Sequence, residues 1–99
     1  MVMVREVLNC APGQVRNLVS KFKALGEVMR QMGHEPFRLY TDVAGEHFWT
    51  LVLEREYESV GAALALEAEV MSNPDAQSAM AGYHEHIVRG KREIYKVEQ

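Results

Sequence analysis

Hydrophobic positions along the chain switch between strand and helix period four times, and each switch bounds an element. Val2-Met3-Val4-Arg5-Glu6-Val7-Leu8-Asn9 is dense in β-branched and apolar residues and stops at Ala11-Pro12-Gly13, which predicts a first strand and a break. From Pro12 the period becomes helical. Val15, Leu18, Val19, Phe22, Leu25, Val28, Met29 and Met32 follow the i, i+3, i+4, i+7 spacing, with Arg16, Asn17, Lys21, Lys23, Glu27 and Arg30 on the other side and Gly33 as the stop. Residues 35 to 43, centred on Phe37-Arg38-Leu39-Tyr40-Thr41, return to a period of two. A short turn at Ala44-Gly45-Glu46 leads into Glu46-His47-Phe48-Trp49-Thr50-Leu51-Val52-Leu53-Glu54-Arg55-Glu56-Tyr57, predicting a hairpin of two strands.

Ser59 then supplies an N-cap, and Val60, Ala63, Leu64, Ala68 and Met71 make a small-residue helical stripe that ends at Ser72. Asn73-Pro74-Asp75 restarts a helix, with Asn as cap and Pro in its first turn. Ala76, Ala79, Met80, Tyr83 and Ile87 share one face of this second segment, Gly90 ends it, and Arg92 to Val97 is a final strand. The order strand, helix, strand, strand, broken helix, strand with right-handed crossovers predicts an α+β, ferredoxin-like βαββαβ domain over residues 1–99. Its sheet is a four-stranded antiparallel one with the helices on one face.

The third strand raises a question of cover. Side chains alternate across a strand, so Trp49, Leu51 and Leu53 point one way while Phe48 and Val52 point the other. The helices can cover one set only. Burying a large apolar side chain is worth roughly 1.5–3 kcal/mol, and a second copy of the sheet is the simplest cover, so a homodimer through the sheet face is expected.

Composition narrows the functional classes. With 47% apolar and 25% charged residues, the chain has the balance of a folded globular domain. A net charge of −3 removes general attraction to phosphate backbones. The one dense basic stretch, Arg89-Gly90-Lys91-Arg92, fits cations complementing the end of a preceding helix. Neither nucleic acid nor membrane is expected as a partner. The single Cys10 and the lack of a leader-like or membrane-spanning run make the cytoplasm the expected location.

On this pattern the chain resembles the dimeric α/β-barrel superfamily across Val2 to Val97. Pro12-Gly13, Gly33, the run Phe48-Trp49-Thr50-Leu51-Val52 and the Asn73-Pro74-Asp75 step look most like its NIPSNAP-type branch. The superfamily includes cofactor-independent monooxygenases, haem-degrading enzymes, muconolactone isomerases and members with no known activity. The resemblance implies a ligand cleft between sheet and helices in each subunit. It also implies candidate catalytic residues, because the haem-degrading and quinone-forming monooxygenases use an Asn, a Trp and a His. Here those types stand at Asn9, Trp49 and His84, with His86 beside it. Asn9 could fix a phenolic oxygen, Trp49 stack on a ring and His84 supply a proton. This chain departs from that pattern in its His, which in those enzymes comes from the helix directly after the Trp strand.

Other constellations are sparser. Tyr83-His84-Glu85-His86 places its imidazoles at i and i+2, which do not face each other on a helix, so no metal site is expected. Arg38, Tyr40 and Asp42 share one face of their strand and, with Tyr83 and His86, are candidate ligand contacts. Met29, Met32, Met71 and Met80 are core filler at helical spacing, or an adaptable apolar lining. No phosphate loop or nucleophile elbow is present, Cys10 has no partner that would mark a nucleophile, and no cofactor is expected. The expectation is a NIPSNAP-like protein that binds a small apolar or aromatic molecule between sheet and helices. The alternative is a cofactor-independent monooxygenase acting on an aromatic or haem-like substrate.

Overall fold

The structure, a computed structural model describing all of residues 1–99, runs β1 (Val2–Cys10), α1 (Val15–Gln31), β2 (Arg38–Thr41), β3 (Thr50–Tyr57), α2 (Val60–Met71), α3 (Pro74–Ala79), a 3₁₀ turn (Tyr83–His86) and β4 (Ile87–Lys96). The strands form one antiparallel sheet in the order β2-β3-β1-β4, the expected ferredoxin-like arrangement. All helices lie on one face, so the chain is a slab with Cα extents of 35 × 34 × 17 Å.

α1 forms because its apolar stripe has somewhere to go. Leu18, Val19, Phe22, Leu25, Val28 and Met29 are buried against the sheet. Gly33 takes the left-handed backbone that ends the helix, with φ of 88°. The core is completed by Leu8 and Cys10 of β1, Leu51 and Leu53 of β3, Leu66 and Val70 of α2, and Ala76 and Met80. Leu18, Met29 and Leu51 are fully enclosed. Ser59 caps α2 by accepting the Ala62 N–H at 3.0 Å, and Asn73 caps α3 by accepting the Asp75 N–H at 2.8 Å.

Three boundaries differ from the sequence pattern, each for a local reason. β3 begins at Thr50 and not at Glu46. Trp49 has φ of 63°, a left-handed conformation that ends the extended run and costs a non-glycine residue roughly 1–2 kcal/mol. Phe48 and Trp49 therefore belong to the loop, and the second face of β3 carries Val52 alone of the apolar residues assigned to it. The helix after Asn73 is short, because Gly82 with φ of 73° turns the chain and only a 3₁₀ turn follows. Finally, Ile87 and Val88 open β4, so Gly90 lies within a strand and Arg89, Lys91 and Arg92 are strand residues. They do not complement a helix end. A Cβ at Gly90 would stand 2.9 Å from Leu8 Cδ2, so the glycine lets Leu8 lie across β4.

Candidate functional site

Register sorts the sheet residues into rows, and the rows define two candidate sites on opposite faces. On the helix side one row reads Leu39, Leu53, Glu6, Arg92 across the four strands, and the next reads Arg55, Val4, Ile94. A carboxylate at Glu6 thus projects from a central strand toward the helix layer. It is matched there: Arg92 donates to Glu6 Oε1 from Nη2 at 2.8 Å and from Nε at 3.1 Å, and from Nη2 to both oxygens of Glu67 on α2 at 3.1 and 3.2 Å. These two carboxylates hold the Arg92 pKa above its ordinary value. The result is a charged clip that joins α2 to the sheet edge. A second polar tie, His34 Nε2 to Glu69 Oε2 at 3.0 Å, joins α2 to the segment after α1.

Between these ties lies an apolar cleft of about 180 Å³, lined by sixteen hydrophobic residues among twenty. Phe22, Leu25 and Met29 of α1, Leu53 of β3 and Leu66, Val70 and Met80 form its wall. Its mouth is bordered by Val60, Leu64, Met71, Tyr83 and Ile94, which are between 38% and 54% exposed. Val60, Leu64 and Met71 make a second apolar stripe on α2, distinct from its buried stripe of Ala63, Leu66 and Val70. The polar end holds the Glu6–Arg92–Glu67 clip and Arg55, whose guanidinium stacks on Tyr57 at 4.4 Å from the ring centroid. Burial is the largest influence on the Tyr57 hydroxyl and pushes its pKa up, against the opposing pull of Arg55. The site can therefore enclose an apolar body and offer both donors and acceptors at one end.

The outer face carries a second, polar recess of about 420 Å³ under the loop of residues 43–49. Asn9 lies on its floor, where Nδ2 donates to Thr50 Oγ1 at 3.1 Å. Thr50 Oγ1 donates in turn to the His47 carbonyl at 2.8 Å, and the Thr50 N–H donates to Asp42 Oδ1 at 2.7 Å. The Cys10 N–H donates to the Trp49 carbonyl at 2.8 Å, which pins the left-handed residue.

The candidate residues from the sequence divide between these places. Of the ligand candidates, Tyr83 borders the apolar cleft, whereas Tyr40 lines the outer recess. Arg38 lies on that same outer face opposite Glu54, whose carboxylate is paired with Arg5 at 2.8 Å. His86 is half-buried at the end of the 3₁₀ turn, where its carbonyl accepts the Ala11 N–H at 3.0 Å. The trio of Asn9, Trp49 and His84 shares no cavity: Asn9 faces the outer recess, Trp49 borders a groove with Val15 and Arg16, and exposed His84 packs edge-on to Tyr83 at 5.6 Å. No three His, Cys, Asp or Glu side chains converge as a metal site would require. The charged clip was invisible in the sequence, since Glu6 and Arg92 are separated by 86 positions. An isolated Glu in the apolar first strand was its one trace.

No family model matches the chain, and no curated protein matches it in sequence. Solved structures do. A NIPSNAP family protein of unknown function from Agrobacterium tumefaciens superposes with a TM-score of 0.82 at 15% identity, over 98% of this chain and 87% of that one. An uncharacterised NIPSNAP domain protein from Burkholderia xenovorans superposes at 0.78 and 14% identity, over 98% and 94%. A candidate antibiotic biosynthesis monooxygenase from Nitrosomonas europaea superposes at 0.73 and 13% identity, over 100% of both chains. The chain thus has the ferredoxin-like fold of these NIPSNAP and monooxygenase-like proteins.

Proposed function

We propose that this protein binds a small aromatic or apolar molecule with one polar group, held between α2 and the sheet. The observation that carries this reading is the cleft of about 180 Å³ whose sixteen apolar lining residues end at a charged clip. An apolar cavity of about 150 Å³ suffices to hold benzene, so the space suits a molecule of one or two rings. The apolar body would displace poorly held water from Phe22, Leu53 and Leu66, and the polar group would meet Arg92, Glu67 or Arg55. The exposed stripe of Val60, Leu64 and Met71 provides an apolar entrance.

A catalytic role as a monooxygenase through Asn9, Trp49 and His84 has less support, because no one ligand position touches all three. Isothermal titration with indole and 1-naphthol tests the binding reading. Saturable binding that Ala63→Phe removes is the expected result; equal binding to wild type and variant, or none, overturns it.

The partner we propose is a second copy packed on the outer sheet face. This slab has helices on one side only, and its bare face presents Met3, Val7, Val52 and Tyr40. Across that face the row Arg38, Glu54, Arg5, Glu93 alternates in charge and includes the Arg5–Glu54 pair, which makes it compatible with a like row turned through a two-fold axis. The mass in solution decides this point.

A further inference from the structure

The polar end of the apolar cleft, on the helix side of the sheet, carries balanced charge. Four charged residues line the cleft: Glu6 of β1, Arg55 of β3, Glu67 of α2 and Arg92 of β4. Two carboxylates thus face two guanidinium groups, and their formal sum is zero. Register brings them together. Glu6 and Arg92 are direct partners across β1 and β4, and Arg55 pairs with Val4, two residues from Glu6 on the same face of β1. The Tyr57 hydroxyl senses both signs: burial raises its pKa most, Arg55 opposes the rise, and Glu6 and Glu67 add to it.

The hydrogen-bonding capacity of these groups is only partly used. Glu6 accepts both of its Arg92 contacts, at 2.8 and 3.1 Å, on Oε1, which leaves Oε2 as an open acceptor. Arg92 commits Nε and Nη2 to the two carboxylates and keeps Nη1 free. Arg55 donates from Nε to the Glu35 carbonyl at 2.9 Å and from Nη1 to the Glu56 carbonyl at 3.4 Å, and its Nη2 has no partner. Open donors and an open acceptor therefore stand together at the end of a cleft whose remaining wall is apolar. A carboxylate entering here would meet Arg92 and Arg55 but also Glu6 and Glu67, and an ammonium would meet the reverse. Either would shed water for no net counter-charge. An uncharged group that donates and accepts at once avoids that cost and satisfies the open positions.

Resting on the binding reading above, we infer that the cleft selects an uncharged ligand, an aromatic carboxamide or lactam whose N–H donates to Glu6 Oε2 and whose carbonyl accepts from Arg92 or Arg55. It discriminates against the carboxylate and the amine carried on the same ring body.

The test is a calorimetric series at pH 7 and constant ionic strength with 1-naphthamide, 1-naphthoate and 1-naphthylmethylamine, beside 1-naphthol. The amide is expected to bind about fivefold more tightly than either charged ligand, the size of one partly exposed ion pair. Glu67→Gln removes a negative charge and should raise naphthoate about fivefold relative to the amide, while Arg55→Gln should do the same for the amine. Ala63→Phe should remove all binding. A charged ligand that binds wild type as tightly as the amide, or charge variants that leave the ratios unmoved, would overturn the inference while the cleft reading stands. No binding by any of the four, 1-naphthol included, would overturn the cleft reading and this inference with it. The wild-type ratios decide even if a variant fails to fold.

Discussion

Replacing Arg92 with methionine removes the clip between α2 and the sheet while keeping an unbranched side chain of similar reach. Arg92 serves two carboxylates, Glu6 and Glu67, and the three side chains are 39%, 33% and 52% exposed. At that exposure solvent screens the attraction, and pairs of this kind contribute about 0.2–1 kcal/mol each. The two-nitrogen contact to Glu6 puts it in the upper part of that range and the more exposed Glu67 contact in the lower. A total of about 1 kcal/mol is expected. For a chain of 99 residues, with an unfolding entropy of about 2.1 cal/mol/K per residue, that is a fall in Tm of about 5 °C. Thermal melts followed by circular dichroism measure it, and a cycle with Glu67→Gln isolates the contact to α2. The coupling should lie near 0.5 kcal/mol and shrink in 1 M salt. A coupling indistinguishable from zero would show that the clip does not hold the helix. One above about 2 kcal/mol would show that the groups are far less solvated than their exposure implies.

Other changes probe the core and the faces. Leu51→Ala, at a fully enclosed position, should cost about 2–5 kcal/mol in denaturant unfolding; a loss under 1 kcal/mol would contradict the packing described. Gly90→Ala should cost about 1–3 kcal/mol by forcing Leu8 off its rotamer, and Leu8→Ala in the same chain should relieve much of that strain. Burial, and secondarily Asp42, raise the Cys10 pKa, so the thiol should resist alkylation at pH 8 until the protein unfolds. By linkage, the stability tied to that proton is intact below the unfolded thiol's pKa and is lost as pH rises through the native value. Val7→Asp with Val52→Asp should convert a two-chain mass by light scattering to one chain, whereas a wild type of one-chain mass would remove the second copy from the outer face.

Much of the fold could be read from periodicity because long amphipathic segments state their faces locally. α1 and its Gly33 stop, the Ser59 and Asn73 caps and the strand order are all of this kind. The boundaries that moved depend on features with no periodic signal. A tryptophan in a left-handed conformation reads as strand until the Cys10 N–H and the Asp42 carboxylate are seen holding that corner. Ile87 continues a helical spacing by coincidence, and only the turn at Gly82 releases it into β4. The candidate site was less legible still. Asn9, a candidate catalytic residue, and Tyr40, a candidate ligand contact, both line the recess on the outer face; which side of the sheet they serve is a matter of register, which one-residue shifts invert. The clip of Glu6, Arg92 and Glu67 joins three elements that are distant in sequence, so only the folded chain assembles it.

The most direct test of the apolar cleft is the amide map of the wild-type protein titrated with 1-naphthol. Saturable shifts at Ala63, Leu64, Leu66, Met71, Tyr83 and Ile94, with Asn9 and Arg89 unmoved, are the predicted result. Shifts confined to the outer face, or none at concentrations that saturate comparable apolar sites, would contradict it.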